Sequence, residues 1–310
     1  MAQNPYFHRQ IKLNLRIKCK RNLFIKPKMI RIYPLIFILL WSSAFITTKP
    51  IVDNSDPFTA LAFRFFFVAI GFYFFSLYSK NSIVIKKKYL IESLFSGVLF
   101  HGFYLGGVFF SISIGMPAGI AALIVTLQPV LTNILSGPIL NEKISIQQWI
   151  GALLGFAGAT LVLGLDLGSE IPILGLIATV IALAAITTST IWQKKLSNNL
   201  PLPVSNFYQA IGGCIFHVFI TIFFIDPFIN FNLTFFIAMG HQIFLVSFGA
   251  FTILMFLIKK NSASKTVSIF FLIPAVSALM GWFFLDEILT KIDLIGFFIA
   301  TIGVYIATRK

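Results

Sequence analysis

Long apolar segments recur along nearly the whole chain after residue 32, and only short polar connections separate them. Each segment has the length, roughly 17 to 25 residues, that a helix needs to cross the hydrocarbon core of a bilayer. The pattern predicts an all-α membrane protein with ten transmembrane helices. The predicted spans are 33–50, 57–79, 89–113, 117–137, 146–163, 172–192, 202–225, 235–258, 266–285 and 291–307.

The composition agrees with this prediction and excludes two other classes of protein. Charged residues make up 11% of the chain, whereas a soluble domain has about a quarter of its residues charged. The net charge of +14 does not indicate a nucleic-acid partner, because the basic residues lie between apolar segments and not on one folded polar module. Cys19 and Cys214 lack the spacing of a metal site, so we expect no metal and no other cofactor.

The basic residues also predict the orientation of the chain, because positive residues near membrane ends stay in the cytoplasm. Lys and Arg concentrate in the extension 1–32 and in every second connection, and the opposite connections hold only Lys291. An even number of spans then places both termini in the cytoplasm, and we expect a multi-pass protein of the inner membrane. The extension is basic and poor in apolar residues, so we expect it to be cytoplasmic and poorly ordered.

A shift of 145 residues superposes the second half of the chain on the first without a gap. The superposed pairs include Lys49 with Lys194, Pro129 with Pro274, Glu142 with Glu287, Gly151 with Gly296, and Gly158 with Gly303. Each predicted half, 33–163 and 172–307, holds five spans. Because five is odd, the halves cross the membrane in opposite senses. Inverted repeats of this kind recur in secondary transporters, which bind their cargo between the halves.

Several motifs together resemble one transporter family. They are Leu-Trp-Ser-Ser-Ala-Phe at 40–45, Ala-Phe-Arg-Phe at 62–65, Ala-Gly-Ile-Ala-Ala-Leu-Ile-Val-Thr-Leu-Gln-Pro at 118–129, and the paired segments 129–151 and 274–296, which each run from a proline through a glutamate to a glycine. Their order is similar to that of the EamA-type branch of the drug/metabolite transporter superfamily. The resemblance implies two inverted five-helix bundles around a central cavity, and it implies export of amino acids or related metabolites across the lipid bilayer.

Arg64 is the most informative single residue, because it lies about two helical turns, roughly 10 Å, inside the outer end of the second span. A charge at that depth usually faces a cavity or a partner. Arg64 either grips the carboxylate or phosphate of a substrate, or serves the structure by reaching the headgroups or bonding helix-end carbonyls. Lys49, at the outer end of the first span, either adds to the same positive mouth or anchors its helix at the interface.

Polar, aromatic and proline residues in other spans complete the predicted site. Gln128 and Asn133 offer uncharged donors and acceptors to a zwitterion, or else to neighbouring helices. Pro129 and Pro274 remove a backbone hydrogen bond in matching spans, which predicts gating by kinked helices during alternating access, or else passive curvature. The remaining predicted substrate contacts are Trp41, Tyr104, Trp192 and Gln209, the last at the position that matches Arg64, with helix packing as the alternative for the aromatic residues.

The other ionisable residues do not predict a paired-carboxylate site. Glu142 and Glu287 fall at opposite faces of the membrane under the inverted topology, each just before a predicted capping box that begins at Ser145 or Thr290. No Asp or Glu falls clearly at mid-depth, whereas His101 and His217 lie inside spans. We therefore expect facilitated diffusion or exchange, or a coupling that runs through histidine.

The sequence leaves several functions to be distinguished. Export of an amino acid or related metabolite is the leading hypothesis, and uptake or exchange of an anionic nucleotide-like solute is the second. A membrane-embedded enzyme for lipid-linked substrates would need a nucleophile with a base, a metal cluster or paired carboxylates. The sequence shows no such set, so we expect no enzymatic activity.

Small residues in the fifth and tenth spans predict close helix packing within the chain or in a homodimer.

Overall fold

The computed structural model describes residues 32–116, 118–164, 171–285 and 289–309. Ten helices in this part of the chain are long and apolar enough to cross a membrane, which confirms the predicted fold class. We number them α1 to α10. They are α1 (Tyr33–Val52), α2 (Pro57–Tyr78), α3 (Lys87–Ser113), α4 (Ile120–Leu140), α5 (Ile146–Leu163), α6 (Ile173–Leu196), α7 (Leu202–Phe224), α8 (Leu233–Lys260), α9 (Ala263–Phe283) and α10 (Lys291–Thr308).

Some predictions fall on residues outside this description, namely the extension up to residue 31, the predicted start of the fourth span at residue 117, and Glu287. Where bounds can be compared, the largest difference is at the end of α6, which continues to Leu196 where the prediction ended at residue 192. α6 continues through Lys194 and Lys195, and α8 continues through Lys259 and Lys260. A lysine can stay helical at a membrane boundary because its long stem lies along apolar surface while its ammonium reaches water.

The fifth and tenth helices, which are counterparts under the repeat, pack against each other in opposite directions. An added Cβ at Gly158 would lie 2.6 Å from the carbonyl oxygen of Gly296, and an added Cβ at Gly296 would lie 2.7 Å from the carbonyl oxygen of Gly158. At the other end of the contact, Gly151 meets Gly303 in the same way. The helices touch backbone to backbone, so only glycine fits here, and the predicted close packing occurs within the chain.

The second and seventh helices form another antiparallel pair of counterparts. The Tyr73 and Phe207 rings lie 5.7 Å apart near one end of the pair, and the Phe58 and His217 rings lie 5.9 Å apart near the other. Two pairs of matching helices therefore run in opposite senses. The chain is built as two inverted repeats of five helices each.

Departures from regular α-helix occur at matching places in the two repeats. α3 contains a π-helical segment at Val98–Leu105, and α8 contains one at Gln242–Ala250. α4 is interrupted between Val125 and Gln128, and α9 passes through a 3₁₀ segment at Ser268–Leu272. Under the 145-residue shift, Leu105 falls on Ala250 and Gln128 on Ile273. Such segments often mark functional sites.

The two paired prolines lie directly after the irregular turns of α4 and α9, where the loss of a helical hydrogen bond to a proline is expected, and their role in gating stays a prediction. Pro129 lies in the first turn of the segment Gln128–Leu140, and Pro274 is the second residue of Ile273–Leu285. Proline is well tolerated in a first turn, because the missing N–H has no helical acceptor there. The predicted capping boxes at Ser145 and Thr290 are both present.

The outward faces of the helices carry large exposed apolar side chains, among them Phe74, Phe223, Phe244 and Phe298. Lipid tails solvate such side chains as well as a protein core does, so burial alone does little to hold membrane helices together. Close packing of small residues and hydrogen bonds between helices must supply the specificity. The polar side chains buried among α1, α3, α6, α8 and α9 provide these bonds.

Candidate substrate cavity

The helix bundle has two ends, which we name after paired lysines. The Lys49 end holds the last residues of α1, α3 and α5, and the Lys194 end holds the first residues of the same helices together with the last residues of α6 and α8. The Tyr33 and Phe256 rings, at the start of α1 and near the end of α8, lie 5.3 Å apart at the Lys194 end.

A cavity of about 490 Å³ lies between the repeats and reaches the Lys49 end. Residues of α1, α2, α3, α4, α5, α8 and α9 line it. Lys49, Ile112 and Leu163 form its rim, and Arg64 lies in its wall. The volume is within the range of known small-molecule sites, roughly 300–1,000 Å³.

All four irregular segments contribute to this wall. Tyr104 comes from the π-helical segment of α3 and Ser247 from that of α8. Thr126 comes from the interruption in α4, and Phe270 from the 3₁₀ segment of α9. The repeat therefore places its least regular backbone around the cavity, where a loss of helical hydrogen bonds is tolerated in a membrane protein.

Arg64 is buried, with 4% of its surface exposed, yet its side chain lines the cavity. Its Nε donates a hydrogen bond to the hydroxyl of Ser247 on α8, at 2.9 Å. The guanidinium carbon lies 5.4 Å from the centre of the Phe65 ring. No other hydrogen bond from Arg64 to a described residue is present, so the two Nη groups keep their donors for other partners.

The charge of Arg64 has no carboxylate partner within the described residues. The ion pairs found there are Lys49 with Asp53, both exposed, and the exposed Lys88 with the partly buried Glu92. A buried guanidinium without a counter-charge is costly, and a bound anion would remove much of that cost. The same part of the chain contains no group of three or more His, Cys, Asp or Glu that could hold a metal ion.

Aromatic rings form the wall of the cavity on the side of α1 and α9. Trp41 lies 5.9 Å from Phe270 and 6.1 Å from Phe100, measured between ring centroids. Tyr104 lies 5.3 Å from Phe100 on the same helix. Edge-to-face and tilted arrangements at these distances are the favoured ones for aromatic pairs. The wall can therefore hold an apolar group in a fixed position.

Polar side chains join α1 to α8 and α9 beside the cavity. His241 of α8 bonds through its two ring nitrogens to the hydroxyls of Ser43 at 3.0 Å and Thr47 at 3.2 Å. The amide of Gln242 donates to the carbonyl of Ala44 at 2.9 Å. Ser42 Oγ donates to the carbonyl of Ile273, at the start of the second segment of α9, at 3.2 Å. These bonds link the first helix of one repeat to the other repeat.

Toward the Lys194 end, the space between the repeats is filled by buried polar side chains, which we call the polar plug. The polar plug consists of Ser96, Gln128, Ser189, Thr190, Gln193 and Gln209. Gln193 Nε2 donates to Gln209 Oε1 at 3.0 Å, and Gln128 Nε2 donates to Thr190 Oγ1 at 3.0 Å. Ser189 Oγ donates to the carbonyl of Ser96 at 3.1 Å. The cavity therefore does not extend to this end.

Two charged residues hold helix ends next to the polar plug. Lys194 Nζ donates to the carbonyl of Ile258, at 2.9 Å, and to the carbonyl of Asn261, so it closes the C-terminal end of α8. The Glu142 carboxylate accepts from the amides of Ala263 at 2.8 Å and Ser264 at 3.4 Å, at the N-terminus of α9. Each charge has the sign that the helix dipole favours at that terminus.

The structure places part of the predicted site in the cavity. Arg64, Trp41 and Tyr104 line it, and the predicted gating residue Pro274 lies beside them. Lys49 lies at the rim, where its Nζ is 3.2 Å from a carboxylate oxygen of Asp53.

The other predicted residues lie outside the described lining. Gln128 and Gln209 belong to the polar plug, and Asn133 is buried beside it, where its amide accepts a hydrogen bond from the Ser264 hydroxyl. Trp192 packs against a phenylalanine ring of α3 at 5.5 Å. Pro129 is buried within α4. Direct contact of these residues with cargo stays a prediction.

The two histidines that the sequence analysis named, His101 and His217, occupy different environments. His101 lines the cavity, and its ring centroid lies 4.4 Å from that of Phe65. His217 is fully buried behind it and donates from Nε2 to the carbonyl of His101 at 2.8 Å. Of these two histidines, His101 is therefore the one that a ligand in the cavity can reach.

Reasoning from the sequence missed Ser247, Gln242 and Phe270, which all line the cavity. Gln242 and Ser247 are polar residues inside an apolar span, which was the available signal for them. Phe270 carried no signal, because the chain holds 37 phenylalanines and an aromatic residue in a span is more often packed against other helices or at the membrane interface.

Comparison with known proteins gives a consistent picture. The model of the EamA-like transporter family matches residues 29–164 and 173–309. An uncharacterized transporter of Bacillus subtilis is 28% identical over 233 residues, which cover 72% of each chain. A probable amino-acid metabolite efflux pump of Escherichia coli is 22% identical over 88% of this chain and 92% of its own. A solved crystal structure has a TM-score of 0.77 at 18% identity, covers 91% of this chain and 97% of its own, and shows the same fold.

Proposed function

Because the chain belongs to the EamA-like transporter family, with one copy of the family domain in each repeat, we propose that it exports an amino acid or a related metabolite by alternating access. Arg64 binds the carboxylate of the cargo in this proposal. The observation that carries it is a buried guanidinium that lines the cavity, has one neutral hydrogen-bond partner and has no counter-charge among the described residues.

The chemistry of a guanidinium supports a carboxylate as ligand. Its planar fork of N–H donors matches the two oxygens of a carboxylate or a phosphate, and the pair forms two parallel hydrogen bonds. In Arg64 the Nε donor is occupied by Ser247, which fixes the plane of the fork. The names of two relatives, probable amino-acid metabolite efflux pumps of Escherichia coli and Salmonella typhimurium, support a cargo related to amino acids.

The arrangement of the two ends supports alternating access. The cavity reaches the Lys49 end, and the polar plug fills the Lys194 end. Lys and Arg concentrate in the connections at the Lys194 end, which favours a cytoplasmic location for that end, with both termini there, in the inner membrane. The structure then represents the outward-facing state, from which cargo leaves to the outside.

Export is tested by a metabolite screen of cells that overproduce the protein. We expect one or a few carboxylate-bearing metabolites to accumulate in the medium, and we expect Arg64→Gln to abolish the accumulation. Glutamine is a suitable replacement because Gln209 holds the matching place in the other repeat. Lys88→Gln is the matched control, since Lys88 is an exposed cation outside the cavity. Unchanged excretion by Arg64→Gln at equal protein level would contradict the proposed role of Arg64.

Uptake or exchange of an anionic nucleotide-like solute is the second candidate, and the rim position of Lys49 is the observation that favours it. That function would need both cations. Loss of transport in Lys49→Gln as well as in Arg64→Gln, together with uptake of the solute by intact cells, would favour it over export.

A further inference from the structure

Among the lining residues of the cavity that the structure describes, the charged side chains are all cations. Arg64 and Lys49 are its cations, and no Asp or Glu is among the lining residues that the structure describes. Lys49 already has a partner, because its Nζ lies 3.2 Å from the Asp53 carboxylate at the exposed rim. Within the described wall, Arg64 therefore supplies the uncompensated charge that a ligand would meet.

The hydroxyl groups of this wall bring no negative charge that would balance a cationic group on a ligand. Thr48, Thr126 and Ser277 offer hydroxyls, and each already donates its proton to a backbone carbonyl. Such an oxygen can accept a hydrogen bond from an ammonium, but it brings no negative charge. Moving an unpaired ammonium into this wall costs desolvation energy, and the nearby guanidinium adds repulsion in a low-dielectric setting.

The remainder of the wall is apolar and aromatic. Trp41, Phe100 and Phe270 lie side by side across from the helix that carries Arg64, and Tyr104 extends the same surface. Contact with these rings favours an apolar body on the ligand, because burying apolar surface is favourable in proportion to its area.

Resting on the proposed function, we propose that the cargo binds as a net anion, with its carboxylate at Arg64 and an apolar body against Trp41 and Phe270. The cargo carries no positive group. Deaminated and N-acylated derivatives of apolar amino acids have this chemistry, whereas free amino acids and amines do not.

A series of ligands that share one ring and differ in charge tests this inference. Radiolabelled 3-phenylpropionate, an anion, is bound to the purified full-length protein and displaced by phenylalanine, a zwitterion, by 3-phenylpropanamide, which is neutral, or by phenylalaninamide, a cation. We expect 3-phenylpropionate to bind at least about tenfold more tightly than the other three ligands. The advantage should disappear in Arg64→Gln and persist in Lys88→Gln.

Equal or tighter binding of phenylalanine would overturn the net-anion inference, as would an advantage that survives Arg64→Gln or a failure of 3-phenylpropionate to bind. These results leave the proposed function standing whenever the metabolite screen still shows Arg64-dependent excretion. The proposed function itself fails if overproduction changes the excretion of no metabolite.

An independent observation concerns the two lysines that name the ends of the bundle. Lys194, near the end of α6, bonds the carbonyls of Ile258 and Asn261 at the end of α8. Lys49 is its counterpart, and the counterparts of the two acceptors are Ser113 and Met116 at the end of α3. Lys49 makes neither of the matching bonds and pairs instead with Asp53.

The lysine that bonds helix-end carbonyls lies at the closed end of the bundle, and the lysine that does not lies at the open end. Where Lys194 joins α6 to α8, the bundle is closed. Where Lys49 makes no hydrogen bond from α1 to α3, the cavity reaches the end of the bundle. From the repeat symmetry we infer that, when the Lys49 end closes, Lys49 leaves Asp53 and donates to the carbonyls of Ser113 and Met116, while Lys194 releases α8.

The inference requires that replacing Lys194 and replacing Lys49 shift the equilibrium between the two open states in opposite directions. In a variant without Cys19 and Cys214, Ile112→Cys reports access at the Lys49 end and Ser189→Cys reports access at the polar plug. We expect Lys194→Met to raise maleimide labelling at position 189 relative to labelling at position 112, and the ratio of the two should rise about tenfold if the equilibrium shifts by about 1.4 kcal/mol. Lys49→Met should do the reverse, and Lys88→Met should change neither. A shift in the same direction for both lysines, or no effect of Lys49→Met, would overturn the inference.

Discussion

Arg64 donates a hydrogen bond from Nε to the hydroxyl of Ser247 at 2.9 Å, and this bond joins the second helix of one repeat to the third helix of the other. Ser247 lies in the π-helical segment of α8. The bond therefore ties the orientation of the guanidinium to an irregular segment at the interface of the repeats.

Replacing Ser247 with alanine should weaken cargo binding without removing the charge of Arg64. Because this bond is present before cargo binds, its loss acts on binding through the orientation of the guanidinium, and we expect the KM for transport to rise about threefold to tenfold. Thr301→Ala is the control, since Thr301 is exposed and bonds only within α10. A KM equal to that of the unaltered protein would show that Ser247 does not position Arg64.

Adding one methyl group at Gly158 should destabilise the contact between α5 and α10. The new Cβ would lie 2.4 Å from the backbone nitrogen of Ala300, which cannot move without shifting the helix. Overpacking of this kind costs about 1–3 kcal/mol, so Gly158→Ala should lower the Tm of the purified protein. Gly240→Ala is the matched control, because an added Cβ there meets no atom within 4 Å. A normal Tm for Gly158→Ala would contradict the backbone contact.

Neutralising Glu142 should loosen the N-terminus of α9. Its carboxylate accepts from the amides of Ala263 and Ser264, and an acidic cap at a helix N-terminus contributes about 1 kcal/mol. We expect faster hydrogen exchange at these two amides in Glu142→Gln, and no change there in Glu92→Gln, which removes the ion pair between Lys88 and Glu92 on α3. Unchanged exchange in Glu142→Gln would rule out this capping role.

The two tryptophans predicted to contact substrate, Trp41 and Trp192, should affect cargo binding differently when each is replaced with leucine. Trp41 lines the cavity, so Trp41→Leu should weaken cargo binding by about threefold to tenfold, the range expected for loss of an aromatic contact. Trp192 packs outside the described lining, so Trp192→Leu should leave binding unchanged. Competition binding with purified protein measures the affinity of both variants for cargo. A larger loss of affinity in Trp192→Leu than in Trp41→Leu would contradict a binding site in this cavity.

Much of the fold could be predicted because its signals are long or repeated. The apolar spans are set by the thickness of the bilayer, and the pairs Gly151 with Gly296 and Gly158 with Gly303 revealed the inverted repeat. The small residues of α5 and α10 indicated close helix packing, but not whether the contact lies within the chain or in a homodimer. Arg64 could be identified because a charge in an apolar span has few explanations.

The local backbone could not be predicted in the same way. A π-helical segment adds one residue to a turn without a characteristic residue type, so Val98–Leu105 reads as ordinary helix. Pro129 and Pro274 indicated irregular helices, but not that the break precedes them. The division of polar residues between cavity and polar plug depends on which end of the bundle is closed, and Gln128 and Gln209 fit either place from sequence alone.

The most direct test is transport of the screened metabolite into proteoliposomes that contain the unaltered protein, Arg64→Gln or Lys88→Gln, at equal protein content. We expect saturable uptake with the unaltered protein and with Lys88→Gln, and uptake at the level of empty liposomes with Arg64→Gln. Uptake by Arg64→Gln at the rate and KM of the unaltered protein would contradict a carboxylate site at Arg64 in this cavity.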